Sequence, residues 1–293
     1  MSALQMNAVK RPMTHTPPVR QKISMWQRWQ ELARYRDLLY YMVVRELKGR
    51  YKSSVLGFVW SLLNPLLMML VFTVIFTLIM PNNQIQAYPI FLLCGLLPWN
   101  YFTSGVLSSV GSVIGNSNLV KKVYFPREIL PISAVLAQLI NFLLSLLVIF
   151  VLLIVFRIPL SPQLWLLPVV IVMQTCFIIG VSLFLSAINV YYRDTTMILD
   201  VVLMAWFFLT PVFYPIDILP KAYEAFGLVL DVHRLMNILN PMASIVNTYR
   251  DILYLGTYTS GDFFLRTAVT SVVVMLMGYW VFNKVSGNFG EEL

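Results

Sequence analysis

Charged residues are scarce in this chain. Of its 293 residues only 12% are Asp, Glu, Lys or Arg, whereas a water-soluble domain carries about 25%. Hydrophobic residues make up 59%, and the mean hydropathy is +0.75. A single globular core cannot bury this excess, because the fraction of surface that a chain of this length buries is limited. The composition therefore excludes an ordinary soluble enzyme and predicts an integral membrane protein.

Cysteine and histidine are almost absent. The two cysteines, Cys94 and Cys176, lie inside apolar runs, and the two histidines, His15 and His233, lie in unrelated segments. This pattern indicates no disulfide framework and no metal site. The sequence also has no G-x-x-x-x-G-K-[ST] phosphate loop, H-E-x-x-H pair or G-x-S-x-G elbow. We therefore predict that the chain is not an enzyme, and that any energy for transport enters from elsewhere.

Six apolar runs predict six membrane-spanning helices in an all-α protein. The first run has 26 residues without a charge, and as a helix it would extend about 39 Å, which exceeds the hydrocarbon core of about 30 Å. Before the runs we predict a mobile cytosolic tail (1–23) and an amphipathic helix in the membrane interface (24–54), which contains Trp26 and Trp29. Residues 55–293 form the predicted transmembrane domain. Its spans are 55–80, 89–114, 130–156, 165–190, 197–213 and 263–282.

Basic residues predict the orientation of these spans. Eleven of the 21 Lys and Arg residues precede the first run. If the N-terminus is cytosolic, the inner segments hold 16 Lys and Arg residues and the outer segments hold four. Since cytosolic loops carry the excess of Lys and Arg, both termini are assigned to the cytosol. The basic residues at the cytosolic membrane face account for the net charge of +8, so we predict no nucleic-acid partner.

The segment between the fifth and sixth runs differs from the other loops. Pro211, Pro215 and Pro220 interrupt a continuous helix, because each removes a backbone donor and clashes with the preceding turn. Two short helical patterns follow, from Lys221 to Met236 and from Met242 to Leu255. Their charged residues exclude spans, so we predict half-buried or re-entrant helices at the outer face.

Ionisable side chains are nearly missing from the runs, which disfavours ion-coupled transport. Aromatic, hydroxyl and amide side chains are frequent there, and they suit sugar rings through stacking and hydrogen bonds. One hypothesis is therefore a translocation path for a polar solute. The alternative is that these side chains form interface belts and interhelical hydrogen bonds, as in any membrane protein. The candidate path residues are Trp60, Asn64, Trp99, Tyr101, Phe102 and Trp206.

The inner loop from Asn116 to Glu128 mixes charged and apolar residues. Lys121 and Lys122 stand beside Tyr124 and Phe125. Apolar anchors within a charged rim are typical of a docking surface. A positive-inside anchor would explain the lysines equally well, so both interpretations remain open at this point.

Several segments together match a known pattern. Two of them are RELKGRYKSSVLGFVW (45–60) and NLVKKVYFPREILP (118–131). The others are NPL (64–66), GLLPW (95–99), NVYYRD (189–194), TPVFYP (210–215), NP (240–241) and YRD (249–251). In this order they resemble the permease subunit of ABC-2 type exporters of polysaccharides and polyol phosphates. The resemblance covers the chain from about Arg36 to its end.

The resemblance implies partners and a location. Proteins of this family are multi-pass subunits of the bacterial inner membrane that export lipid-linked O-antigen (the polysaccharide of lipopolysaccharide), teichoic acid or capsule polymers. They form a homodimer and pair with two copies of a separate ATPase. ATP and Mg would bind that ATPase, so no cofactor is expected on this chain. A two-fold axis would place one translocation path between two copies.

The resemblance also implies residue roles. The amphipathic segment and the loop from 118 to 128 would contact the ATPase, with Phe125 and Arg127 transmitting its motion, and the segment after Pro211 would form an outer gate. The coupling residues are then Arg45, Glu46, Lys48, Arg50, Tyr51, Lys52, Asn118, Leu119, Lys121, Lys122, Tyr124, Phe125, Pro126, Arg127 and Glu128. The gate residues are Pro211, Tyr214, Pro215, Pro241, Tyr249 and Arg250. Two alternatives stay open: an ABC-2 exporter of a small drug or antibiotic, and a channel or scaffold that does not use ATP.

Overall fold

The computed structural model describes most of the chain. The described residues are 33–52, 57–75, 85, 87–159, 161–216, 222–225, 228–231, 236, 238–257 and 261–293. The helices are α1 (Arg36–Tyr51), α2 (Trp60–Val74), α3 (Tyr88–Val110), α4 (Ser112–Gly115), α5 (Ser117–Lys122), α6 (Ile129–Val155), α7 (Leu167–Tyr191), α8 (Thr195–Leu209), α9 (Pro241–Arg250), α10 (Gly261–Val285) and α11 (Phe289–Glu292). Short 3-10 turns cover Gly57–Val59, Pro162–Leu166 and Ser286–Asn288, and a π-helical turn covers Asp251–Leu255. The predicted tail (1–23) and the part of the predicted interfacial helix that contains Trp26 and Trp29 lie outside the described residues.

Four helices of the described part are long and apolar enough to cross a membrane. They are α3, α6, α7 with its preceding 3-10 turn, and α10 with its continuation to Glu292. The helix α6 has 27 residues and no charged side chain, which gives a length of about 40 Å. These four helices coincide with the predicted spans 89–114, 130–156, 165–190 and 263–282. The protein is therefore a multi-pass membrane protein.

The helices α2 and α8 are apolar but shorter. Each has 15 residues, about 22 Å, which is less than the hydrocarbon thickness of about 30 Å. Part of the predicted span 55–80 lies outside the described residues. The helix α8 ends where Thr210 becomes extended, since Pro211 disfavours the helical conformation at the preceding residue. A total of six spans stays a prediction.

The helix predicted from Lys221 to Met236 is wrong for residues 222–225 and 228–231. Ala222–Ala225 (β1) and Leu228–Asp231 (β2) form an antiparallel hairpin in which Ala222 pairs with Asp231. Only two residues separate the strands, and the second of them is Gly227. A two-residue connection with glycine is a hairpin signal, which the apolar periodicity concealed. The described fold is thus predominantly helical, with one hairpin.

The helices α7 and α10 cross with their backbones in contact. A Cβ atom at Gly180 would lie 2.6 Å from the Cα of Met275, and one at Gly278 would overlap the carbonyl of Gly180. Small residues allow this close approach of helices in a membrane. The crossing joins the last long helix to the centre of the protein.

The buried apolar side chains form two main clusters. The larger one surrounds α3, and it includes Phe102, Phe142 and Tyr249. The second cluster joins α1, the inner loop, α7 and the C-terminal turns through side chains such as Phe125 and Phe289. The larger cluster forms one wall of the candidate site below.

Candidate functional site

A cleft of about 190 Å³ opens between α1, α2, α3 and α6, and we call it the polar cleft. It is lined by Arg50, Asn64, Pro65, Met68, Leu97, Asn100, Tyr101, Ser104, Gln138, Asn141, Phe142 and Ser145. Neutral amides and hydroxyls dominate this lining, and Arg50 is its one charged member among the described residues. Such a surface can hydrogen-bond the hydroxyls of a polar solute without attracting cations.

A hydrogen-bond network organises one end of the polar cleft. Arg50 donates from Nη1 to Gln138 Oε1 at 3.0 Å and from Nη2 to Ser108 Oγ at 3.2 Å. Gln138 Nε2 donates to Ser108 Oγ at 3.0 Å, and Asn141 Nδ2 donates to Gln138 Oε1 at 3.1 Å. The network therefore ties the last turn of α1 to α3 and α6.

Sequence reasoning missed Gln138 and Ser145 and placed Arg50 at the ATPase interface only. A signal was available, because Gln138, Asn141 and Ser145 follow the spacing i, i+3 and i+7. That spacing puts three polar side chains on one face of an otherwise apolar helix. A search for polar stripes, and not for single residues, would have predicted this wall.

The predicted path residues separate into three groups. Asn64 and Tyr101 line the polar cleft. Trp99, Phe102 and Trp206 instead pack into one aromatic cluster with ring centroids 5.1 to 6.4 Å apart. Trp60 is 44% exposed at the start of α2, one helical turn before Asn64, and belongs to neither group. Among these six residues, Asn64 and Trp60 are exposed enough to contact a solute directly, whereas Tyr101 is only 3% exposed.

Tyr101 connects the polar cleft to the protein core. Its ring stacks on Phe142 at 4.9 Å, and its hydroxyl shares a hydrogen bond with Thr175 Oγ1 at 3.0 Å. Phe142 in turn meets the edge of Tyr249 at 5.9 Å. A rigid aromatic wall therefore separates the cleft from α9.

Arg250 is the centre of a second site, which we call the Arg250 junction. The side chain is 3% exposed. Its Nη1 donates to the carbonyl of Pro211, and its Nη2 donates to the carbonyl of Val212, each at 2.5 Å. Its guanidinium lies over the ring of Phe91, 3.8 Å from the centroid, a favourable cation–π position. Arg250 thereby fastens the turn after α8 to α3 and α9.

Glycine at position 95 makes room for this junction. A Cβ atom there would lie 2.6 Å from the carbonyl oxygen of Val212 and 2.9 Å from Nη2 of Arg250. Burial lowers the pKa of Arg250 from its ordinary value to about 10, so the guanidinium keeps its proton at neutral pH. Its charge is balanced by carbonyl dipoles and an aromatic face.

Asn240 links the same turn to the start of α9. Its Oδ1 accepts from Trp206 Nε1 at 2.9 Å and, as the helix N-cap, from the amide of Ala243 at 3.1 Å. Its Nδ2 donates to the carbonyl of Leu209 and to Thr210 Oγ1. The amide thus uses both its oxygen and its nitrogen, as a buried amide requires.

Most predicted gate residues therefore meet around one turn. Arg250 holds Pro211 directly, and it also approaches the carbonyl of Tyr214 at 3.5 Å. Pro241 occupies the first position of α9, where proline is favoured because its missing N–H would have no helical partner. Pro215 is half-buried at the end of the described turn. Whether this group opens and closes as a gate stays a prediction.

The inner loop divides into an exposed and a buried part. Tyr124 is 81% exposed, and Lys121 and Lys122 are exposed beside it. Phe125 is buried in the second cluster, and Arg127 donates to the backbone carbonyl of Ser286. The exposed part is available to a partner, whereas Phe125 and Arg127 contact the C-terminal turns of their own chain.

The remaining predicted coupling residues lie on α1 and around the loop. Arg45 donates to Asn116 Oδ1 at 2.7 Å and approaches Glu46 at 3.4 Å, so this helix is tied to the loop. Tyr51 is the last residue of α1. Lys48, Lys52 and Asn118 are exposed. Leu119 and Pro126 are half-buried, and Glu128 is buried. The exposed basic side chains of this group lie at the end of α1 (Lys48 and Lys52) and, with Lys121 and Lys122, in the last turn of α5.

No metal-binding cluster of side chains occurs among the described residues. No group of three or more His, Cys, Asp or Glu side chains comes together among those residues. The fold and the polar cleft define a class of protein: a multi-pass helical membrane protein with a hydrogen-bonding cleft that carries one arginine.

The chain belongs to the ABC-2 type transporter family, whose profile matches residues 37–254. It is 36% identical over 263 residues to the O-antigen export system permease protein RfbA of Myxococcus xanthus, which covers 90% of this chain and 98% of that protein. It is 34% identical over 258 residues to the protein of the same name from Klebsiella pneumoniae, covering 88% and 95%. It is 24% identical over 246 residues to the polysialic acid transport protein KpsM of Escherichia coli, covering 81% and 89%.

Proposed function

We propose that this chain is the transmembrane subunit of an ATP-driven exporter of a cell-surface polysaccharide. The observation that carries the proposal is the match along nearly the whole chain to relatives named O-antigen export system permease. A further relative is named for the transport of polysialic acid, which is also a polysaccharide. O-antigen, capsule and teichoic acid are the candidate classes of polymer, carried on a lipid.

The polar cleft supports this proposal chemically. A polymer that moves past the protein needs many weak hydrogen bonds and aromatic contacts, since tight binding of any one unit would stop it. Asn64 and Asn100 supply hydrogen-bonding groups on two helices of the cleft, and the buried ring of Tyr101 lies behind them. Trp60 extends this surface on α2. The path of the proposed exporter therefore runs along α2 and α3, with the cluster of Trp99, Phe102 and Trp206 supporting it from behind.

The proposed assembly is a homodimer bound to two ATPase subunits, which hold ATP and Mg. It lies in the bacterial inner membrane with six spans per copy and both termini in the cytosol. Exposed apolar side chains on the short helices α2 and α8, such as Leu70 and Val201, support their place in the bilayer. The basic surface formed by α1 and the loop around Tyr124 would dock the ATPase, and the Arg250 junction would form the outer gate.

The experiment is a deletion and complementation in the native host. Intact cells are labelled with an antibody or lectin against the surface polysaccharide, and the intracellular polymer is measured in parallel. Deletion is expected to abolish surface labelling and to leave polymer inside, and a catalytically inactive partner ATPase should give the same result. Unchanged surface polymer in the deletion strain, or changed sensitivity to drugs alone, would refute the proposal.

A further inference from the structure

The Arg50 end of the polar cleft has more hydrogen-bond donors than acceptors. A guanidinium carries five N–H donors, and the contacts with Gln138 and Ser108 engage two of them. Ser108 Oγ accepts from both Arg50 and Gln138, so its own hydrogen remains to be donated. The remaining N–H groups of Arg50 and the hydroxyl hydrogen of Ser108 are therefore left to donate to a molecule in the cleft.

The charge of Arg50 also lacks a counter-ion within the described residues. Among them, no carboxylate oxygen lies within 4.0 Å of its guanidinium, and the nearby Glu46 approaches Arg45 instead. Arg50 is exposed at the mouth of the cleft, so its charge is solvated and stays available to an anionic ligand. Its planar fork is suited to oxyanions with two or more oxygens, above all phosphate.

The position of Arg50 indicates an amphiphilic ligand. Arg50 lies in the last turn of α1 and Ser108 lies two residues before the end of α3, so the donors are at the ends of these helices. The apolar lining residues Met68 and Leu97 belong to the interior of α2 and α3. A ligand with a charged head group bound at the helix ends, and with less polar groups that extend farther into the cleft, fits this arrangement.

We propose that Arg50, Ser108 and Gln138 form a binding site for the phosphate head of a membrane amphiphile. This inference rests on the proposed export function, because the lipid-linked polymer of that proposal would carry such a phosphate. A bilayer phospholipid supplies the same chemistry. The volume of about 190 Å³ is below the range of about 300–1,000 Å³ for drug-sized ligands, so the site holds a head group and not a whole molecule.

The experiment measures binding to the protein with its partner ATPase in nanodiscs of phosphatidylcholine, without ATP. The probe is farnesyl diphosphate, and farnesol is the control that lacks the anion. Wild type is expected to bind the diphosphate at least tenfold more tightly than Arg50→Gln, and Arg50→Lys should retain part of the affinity. Farnesol should bind both proteins equally. Equal affinity of wild type and Arg50→Gln for the diphosphate overturns the proposal.

Two further variants control for structural effects. Arg36→Gln removes an exposed arginine in the first turn of the same helix, outside the cleft, and diphosphate affinity should stay within twofold of wild type. Asn64→Asp places a negative charge on the cleft wall and keeps Arg50 in place, so affinity should fall several-fold. If Arg50→Gln does not fold, this second variant decides: unchanged affinity in Asn64→Asp also overturns the site.

A competition experiment separates the two sources of phosphate. Phosphatidylglycerol replaces part of the phosphatidylcholine in the nanodisc. Competition with farnesyl diphosphate that depends on Arg50 supports the site with a bilayer lipid as its occupant, and absence of competition supports a phosphate-linked substrate. Binding is measured without transport, so the two proposals can fail separately. If the protein binds the diphosphate but the cells show no export defect on deletion, only the proposed function is contradicted. If deletion abolishes export but the protein does not bind the diphosphate, only this site is contradicted.

Discussion

Arg250 and Arg50 both donate hydrogen bonds to neutral oxygen atoms, but their surroundings differ. Arg250 is 3% exposed and is enclosed by backbone carbonyls and the ring of Phe91. Arg50 is exposed at the edge of an open cleft. No ligand can reach the first guanidinium without displacing the turn that it holds, whereas the second can exchange its partners for a ligand. Accessibility, more than charge, therefore separates an arginine that holds the fold from one that can bind.

The largest expected effect follows from Arg250→Ala. The substitution leaves the buried carbonyls of Pro211 and Val212 without their donor. An unsatisfied buried polar group costs about 1–3 kcal/mol, so the free energy of unfolding should fall by about 2–6 kcal/mol. The measurement is an SDS titration of purified protein in mixed micelles. Arg157→Ala, at an exposed arginine, should change it little, and equal effects in the two variants would contradict a holding role for Arg250.

A smaller loss is expected from Asn240→Ala. The substitution removes the N-cap of α9 and the acceptor of the Trp206 indole. Loss of an N-cap costs about 1 kcal/mol, and the unpaired indole adds a comparable amount, so a decrease of about 2 kcal/mol is expected in the same titration. The matched control is Asn288→Ala, since Asn288 precedes α11 without capping it through its side chain. A similar decrease in both would show that the Asn240 network adds no stability.

Gly95→Ala should have an effect of similar or lower size at the same junction. The new methyl group would press on the carbonyl of Val212 and on Arg250, and overpacking of this kind costs about 1–3 kcal/mol. Gly111→Ala is the control, because nothing lies within 4 Å of a Cβ atom at that position. If Gly95→Ala were as stable as wild type, the junction would have to be looser than the structure shows.

The helical scaffold was largely predictable from the sequence, because its signal is local. Three of the four long helices coincide with charge-free runs and the fourth with a run that carries only Arg266, and the Asn240–Pro241 break marks the start of α9. The hairpin between 222 and 231 was not predicted, since two four-residue strands give a weaker signal than an apparent helical stripe. The start and end of short elements depend on tertiary contacts that no sequence window contains.

The sites were predictable only in part, because they depend on which helices meet. The gate residues Pro211 and Arg250 were chosen from motifs, and the structure joins them by a hydrogen bond. The contact between Arg50 and Gln138 spans 88 positions of sequence, and no local pattern indicates it. Phe125 was expected on the docking surface, but its apolar ring is more stable in the second cluster, since burial of a phenylalanine side chain contributes about 1.5–3 kcal/mol.

The smallest effect on stability is expected in the polar cleft, where the consequence for function should be large. Asn64 is exposed and Asn100 is half-buried, and both line the cleft, so their truncation leaves no buried partner unsatisfied. The double variant Asn64→Ala with Asn100→Ala should change the free energy of unfolding by about 0.5 kcal/mol or less. Surface polysaccharide on complemented cells should nevertheless fall several-fold, because the moving polymer loses two hydrogen-bonding groups. A large loss of stability would assign these amides to the scaffold, and normal export would exclude them from the path; either result would remove the contrast between the cleft and the Arg250 junction.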